Sequence, residues 1–154
     1  MLTIADAVND CTLFDGLSAA HLGLVAGCGR FVRFPAGAAI LREGAPADLF
    51  FVVREGSVGL EVASPERGPI VIQTLGPGDT LGWSWLFPPY RWHLDAVARE
   101  AVAAIAFDAA CLRAKCDADH ELGYRLMGLF ADVMLRRLMA TRLQLLDVYA
   151  HGSR

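Results

Sequence analysis

The sequence predicts a mainly β fold, with short helices before a sandwich or barrel and one long helix after it. Three observations carry this expectation. Residues 31–108 are a series of short β-type runs broken by glycine and proline. Residues 1–30 and 109–149 lack that texture and read as helix. The 154 residues suit one domain, long enough to bury a sizeable core.

In the leading segment, Asp15-Gly16 is a turn, Ser18 is an N-cap, and Leu22, Leu24 and Val25 form an apolar face. The β-type runs are Phe31–Phe34, Ala39–Leu41, Leu49–Arg54, Ser57–Val62, Ile70–Leu75, Leu94–Ala98 and Val102–Phe107. Between them lie Pro35-Ala36-Gly37, Glu43-Gly44, Glu55-Gly56, Pro65–Pro69 and Gly76-Pro77-Gly78-Asp79. Many short strands joined by turns argue for a sandwich or barrel. No helical stretch is interleaved, so βαβ units are not expected.

Ala109 to Cys116 predicts a short helix, and Asp117 or Asp119 can cap a second that runs to about Tyr149. At 1.5 Å per residue this second helix is a rod of roughly 45 Å, longer than a small barrel needs to cover itself. Its apolar residues form two stripes. One is Met127, Phe130, Met134, Leu138, Leu145 and Val148, interrupted by Thr141. The other is Leu122, Leu126, Leu129 and Val133, with Leu135, Met139 and Leu146 following. Two stripes imply two neighbours, namely the barrel and a second copy of the helix. A homodimer is therefore expected, with its interface at Met127, Phe130, Met134, Leu138 and Leu145.

Hydrophobic residues make up 55% of the chain and charged residues 20%, which also favours self-association. The net charge of −3 supplies no basic field for nucleic acid or an acidic membrane. The longest uncharged run, Leu17 to Gly29, is too short to span a bilayer. Asp6 and Asp10, with no early Lys or Arg, do not make a signal peptide, so a cytoplasmic protein with reduced cysteines is expected. The histidines His21, His93, His120 and His151 are scattered, and only Cys111 and Cys116 lie close among the cysteines. No metal, no cluster and no catalytic residue is expected from them. Neither a Gly-x-Ser-x-Gly nor a phosphate-binding loop occurs, so an enzyme is not expected. Five residues follow the long helix, too few for a helix-turn-helix, so direct DNA binding is not expected and the helix is free to dock a partner protein.

The spacing Phe34-x-x-Gly37-x-x-Ile40-x-x-Glu43-Gly44-x-x-x-Asp48-x-Phe50-x-x-Val53-x-x-Gly56-x-Val58 resembles the opening of cyclic-nucleotide-binding domains of the catabolite-activator (Crp/Fnr-like) type. Leu75-Gly76-Pro77-Gly78-Asp79-Thr80-Leu81-Gly82 resembles the turn that leads into that family's phosphate-binding cassette. The resemblance covers about residues 10 to 149. It implies a jelly-roll (double-stranded β-helix) barrel in a single domain, with helices at about 1–30, the barrel at 31–108 and helices at 109–149. It implies a sensory or regulatory module. The glycines alone have a plain structural reading, since tight barrel corners need them.

In that family a strand ends in Gly-Glu, a short helix follows, and an arginine comes about ten positions later. Helix amides and the arginine hold the phosphate, and the glutamate accepts from the ribose. The corresponding segment runs from Gly82 through Trp83, Ser84, Trp85, Leu86, Phe87, Pro88, Pro89, Tyr90, Arg91 and Trp92 to His93. The resemblance assigns the candidate pocket to Gly82, Trp83, Ser84, Trp85, Arg91, Trp92 and His93. Trp83 stands at the glutamate position and cannot accept from a hydroxyl. The arginine position falls on Trp92 or His93, with Arg91 displaced to the other face of a strand. Three readings stay open. The tryptophans fill the pocket, or it takes another anionic or aromatic ligand, or it takes a cyclic nucleotide with Arg91 or His93 substituting.

Overall fold

A computed structural model describes residues 1–152. The leading helices are α1 (Ile4–Asp10) and α2 (Ala19–Ala26), with a 3-10 turn at Thr12–Phe14 between them. Thr3 and Asp6 close a capping box on α1, and the Ser18 hydroxyl accepts from the His21 amide at the start of α2. The strands are β1 (Gly29–Phe34), β2 (Ala39–Leu41), β3 (Leu49–Glu55), β4 (Val58–Ser64), β5 (Gly68–Leu75), β6 (Thr80–Leu81), β7 (Asp95–Ala98) and β8 (Val102–Asp108). They form two four-stranded antiparallel sheets, ordered β1-β8-β3-β6 and β2-β7-β4-β5. This is the expected jelly roll, with the two-residue β6 added to the expected strands.

The core lies between the sheets. Phe50–Val53 of β3 and Val102–Phe107 of β8 are buried on both faces, hence their unbroken apolar runs. Gly56 lets the chain turn between β3 and β4. It sits at φ 90°, and a Cβ there would lie 2.2 Å from the Ala101 carbonyl oxygen.

Two helices follow, α3 (Ala109–Ala118) and α4 (His120–Gly152). Asp108 caps α3 by accepting from the Cys111 amide. Three ties then bind α2 to the α3–α4 corner. Lys115 Nζ donates to the Leu24 carbonyl at 2.7 Å. His21 Nε2 lies 3.1 Å from an Asp119 carboxylate oxygen. Cys28 and Cys111, with Cα atoms 5.8 Å apart, form a disulfide. The Leu122 amide first, and His21 after it, hold the Asp119 carboxyl below its ordinary range.

The disulfide corrects the expectation that all cysteines are reduced. Cys28 and Cys111 are separated by 83 residues in sequence but brought together by α2 and α3 packing side by side. Cys11 and Cys116 are free thiols, and burial pushes Cys11 up to about 11.

Two features of α4 also differ from expectation. Phe130 is fully buried against the barrel, so it does not belong to an intermolecular seam. The second stripe divides. Leu122 and Leu126 are buried and Leu129 and Val133 pack on the core, whereas Leu135, Met139 and Leu146 are exposed. The reason is helical phase: two residues from Val133 to Leu135 rotate the side chain by about 200°. Met127, Leu138 and Leu145 are about half exposed, while Met134 packs partly on the barrel.

A cross-link closing so long a loop stabilises by about 2–4 kcal/mol. Cys111→Ser should therefore lower the unfolding free energy by that amount without reductant. With dithiothreitol the variant and parent should differ little. Four titratable thiols in denatured, unreduced protein would show that the bond does not form.

Candidate functional site

The candidate pocket begins at the turn that ends β5. The Gly76 amide donates to an Asp79 carboxylate oxygen at 2.8 Å. The Gly78 amide donates to the Val53 carbonyl, and the Val53 amide to the Asp79 carbonyl. These bonds fix the turn on β3 and aim β6 at Gly82, which sits at φ 94°. A 3-10 turn at Ser84–Leu86 follows.

Gly82 and Trp92 are in direct contact. A Cβ on Gly82 would lie 2.6 Å from both Cζ3 and Cη2 of the Trp92 indole. Trp92 is 7% exposed, and its backbone is fixed by bonds from the Gly44 amide to its carbonyl and from its own amide to the Ala45 carbonyl. The indole thus covers the glycine that begins the cassette. The cavity left among Gly82, Trp83, Ser84, Trp92, His93, the barrel wall and Arg137 of α4 is about 60 Å³. That is well below the roughly 300 Å³ at which ligand pockets begin.

The other predicted residues are placed as follows. Trp85 is fully buried and stacks on Phe50 at 4.8 Å between ring centroids. Its indole N–H is buried and has no hydrogen-bond partner among the described residues. Ser84 is buried beside it, and His93 is exposed at the rim of the small cavity. Arg91 corrects the expectation of a pocket arginine. It is exposed, and its guanidinium donates to the Gly44 carbonyl at 2.9 Å while its backbone bridges to Pro46. Its side chain runs to Gly44 on the outside, whereas the Trp92 indole lies on Gly82.

Two arginines from outside the cassette meet it instead. Arg113 of α3 donates to the Trp85 carbonyl at 2.7 Å and lies 4.4 Å over the Tyr90 ring. Arg137 of α4 lies 4.9 Å over the Trp83 ring. Burial pushes the Arg137 guanidinium down to about 10, against the upward pull of Asp79. The sequence carried a signal for Arg137, since it follows Val133 by one turn on the barrel-facing stripe.

The sequence model of the cyclic nucleotide-binding domain matches residues 31–119, more than half of the chain. The chain belongs to the cyclic nucleotide-binding domain family. A CRP-like cAMP-activated global transcriptional regulator of Mycobacterium tuberculosis is 27% identical over 117 residues, 76% of this chain and 50% of the regulator. The chain thus spans about half the length of the curated relatives it matches. Among solved structures, a putative cyclic nucleotide-binding protein from Geobacter metallireducens is 28% identical, with TM-score 0.79 over 90% of this chain and 99% of that one. The N-terminal domain of a transcriptional regulator from Streptomyces coelicolor is 25% identical, with TM-score 0.69 over 91% of this chain and 95% of that one.

Within this cyclic nucleotide-binding domain, Gly82→Ala should cost about 2–5 kcal/mol. A left-handed alanine contributes about 1–2 kcal/mol and overpacking against Trp92 about 1–3 kcal/mol. In Gly82→Ala/Trp92→Ala the clash is relieved, so denaturant unfolding of the double-mutant cycle should show coupling of at least about 1 kcal/mol. Additive costs would show that the indole does not rest on Gly82.

Proposed function

We propose that this chain is a regulatory module whose nucleotide pocket is closed by its own tryptophans, with α4 as the output element. The observation that carries this reading is the Trp92 indole over Gly82. A cyclic nucleotide in the family position must displace that side chain. Re-exposing a tryptophan uncovers roughly 150–250 Å² of surface, at about 25 cal/mol per Å² a cost of roughly 4–6 kcal/mol. Trp83 adds an unpaired ribose hydroxyl, worth about 1–3 kcal/mol. A micromolar site so opposed falls to millimolar affinity or weaker. No group in the cassette itself offsets this, because Arg91 is committed to Gly44 on the outside.

The output reading rests on α4. Met127, Ala131, Met134, Leu138, Thr141, Leu145 and Val148 recur at alternating spacings of four and three, the pattern of a two-helix seam. Most of them are exposed, which leaves a heptad stripe for a second copy. No helix among the described residues is long and apolar enough to cross a membrane. The curated relatives are transcriptional regulators of which this chain spans about half the length, and we assign no DNA reading to it.

Calorimetry tests the pocket. The parent should show no saturable cAMP or cGMP binding at micromolar concentrations, and Trp92→Arg with Trp83→Glu should tighten cAMP at least about tenfold. Low-micromolar binding by the parent contradicts closure. Light scattering tests the seam. Leu138→Asp with Leu145→Asp changes two side chains that are about half exposed, so each chain should stay folded while the dimer becomes monomer. An unchanged dimer mass would place the interface elsewhere.

A further inference from the structure

The Trp85 indole nitrogen is the one buried side-chain polar atom without a hydrogen-bond partner among the described residues. Its ring is packed between Phe50 and Phe130 in the core, so it has little freedom to carry the N–H out to water. Buried donors are paired in nearly all folded proteins, and an unmet one marks a place where an acceptor is missing.

Trp85 also lines a groove of about 410 Å³, within the size range of ligand sites. The groove lies between the cassette turn and the α3–α4 corner. It shares no lining residue with the small cavity beside Gly82 and Trp92. Arg113 of α3 stands in its wall, tied to the Trp85 carbonyl at 2.7 Å and 4.4 Å over the Tyr90 ring. That bond uses one terminal nitrogen, and the other guanidinium N–H groups meet no acceptor among the described residues. The α4 side of the groove is apolar and aromatic: Tyr124 is 79% exposed and Met127 51% exposed. Asp117 and His120 are exposed at its edge. Arg113 offsets Asp117, so the charged lining is not net negative and does not repel a single carboxylate.

We propose that this groove binds a small aromatic monocarboxylate. The carboxylate is the missing acceptor: one oxygen takes the Trp85 N–H, and the other takes the remaining N–H groups of Arg113. The ring of the ligand lies against Tyr124 and Met127, which cover it by stacking and by sulfur contact. A dicarboxylate or a phosphate ester fits less well, because Asp117 repels the second charge. A cation fits poorly, because the guanidinium and the indole nitrogen are donors only. The ligand joins the cassette turn to the start of α4 through residues outside the nucleotide pocket. The site therefore does not depend on that pocket being closed.

The test is calorimetry of the full chain with cinnamate, with acetate and cinnamyl alcohol alongside. Cinnamate should saturate with a dissociation constant of about 1 mM or below. Acetate, which lacks the ring, and cinnamyl alcohol, which lacks the carboxylate, should bind at least about tenfold more weakly. Trp85→Phe keeps an aromatic ring and removes the N–H, and Arg113→Lys keeps the charge and loses the fork. Each should weaken cinnamate by about tenfold. Tyr124→Ala changes an exposed side chain, so it locates the ligand even if the other two variants fail to fold; it should weaken cinnamate by about threefold or more. Three results would overturn the proposal: no saturation by cinnamate at millimolar concentration, acetate or cinnamyl alcohol binding as tightly, or parent-like binding by any folded variant of the three. A water alone on the indole N–H gives the first of these.

Discussion

The ring of Phe50 is where three parts of the molecule meet. It stacks on Phe107 of β8 at 4.7 Å and on Trp85 of the cassette turn at 4.8 Å, and receives the edge of Phe130 from α4 at 5.2 Å. Trp85 and Phe130 also meet edge to face at 5.3 Å. Each such pair contributes about 0.5–1.5 kcal/mol beyond its buried area. The barrel, the cassette and the long helix therefore cannot shift independently, because moving any one of them opens a gap in the same cluster.

The state of the pocket follows from that constraint. With Trp85 fixed, the Ser84–Leu86 turn is fixed, and Gly82 is presented to the connection before β7 that carries Trp92. The indole then rests on bare backbone, where a side chain at position 82 would clash. Arg137 completes the arrangement from α4 by lying over Trp83. Beside Gly82, where the family resemblance implies a phosphate, this chain packs an aromatic ring of its own.

Much of the fold was legible in the sequence. The barrel strands other than the two-residue β6 could be read because glycine and proline mark the barrel corners. The outward turn of Arg91 was half legible, since one place along a strand reverses a side chain. Other features were not. Phe130 lies near the exposed seam in sequence, and only the position of the Phe50 cluster shows that it turns inward. The pairing of Cys28 with Cys111 depends on how α2 packs against α3, which no local pattern encodes. Arg137 is harder to read, because it follows apolar residues on its stripe and its place over Trp83 depends on how α4 packs on the barrel.

The central claim is that Trp92 occupies the place where the family holds a nucleotide. A crystal structure of the protein grown with millimolar cAMP tests it most directly. The account predicts the Trp92 indole against Gly82 and no nucleotide between Gly82 and Ser84. An indole swung out of the barrel, with a cyclic phosphate on the Gly82–Ser84 backbone, would contradict it.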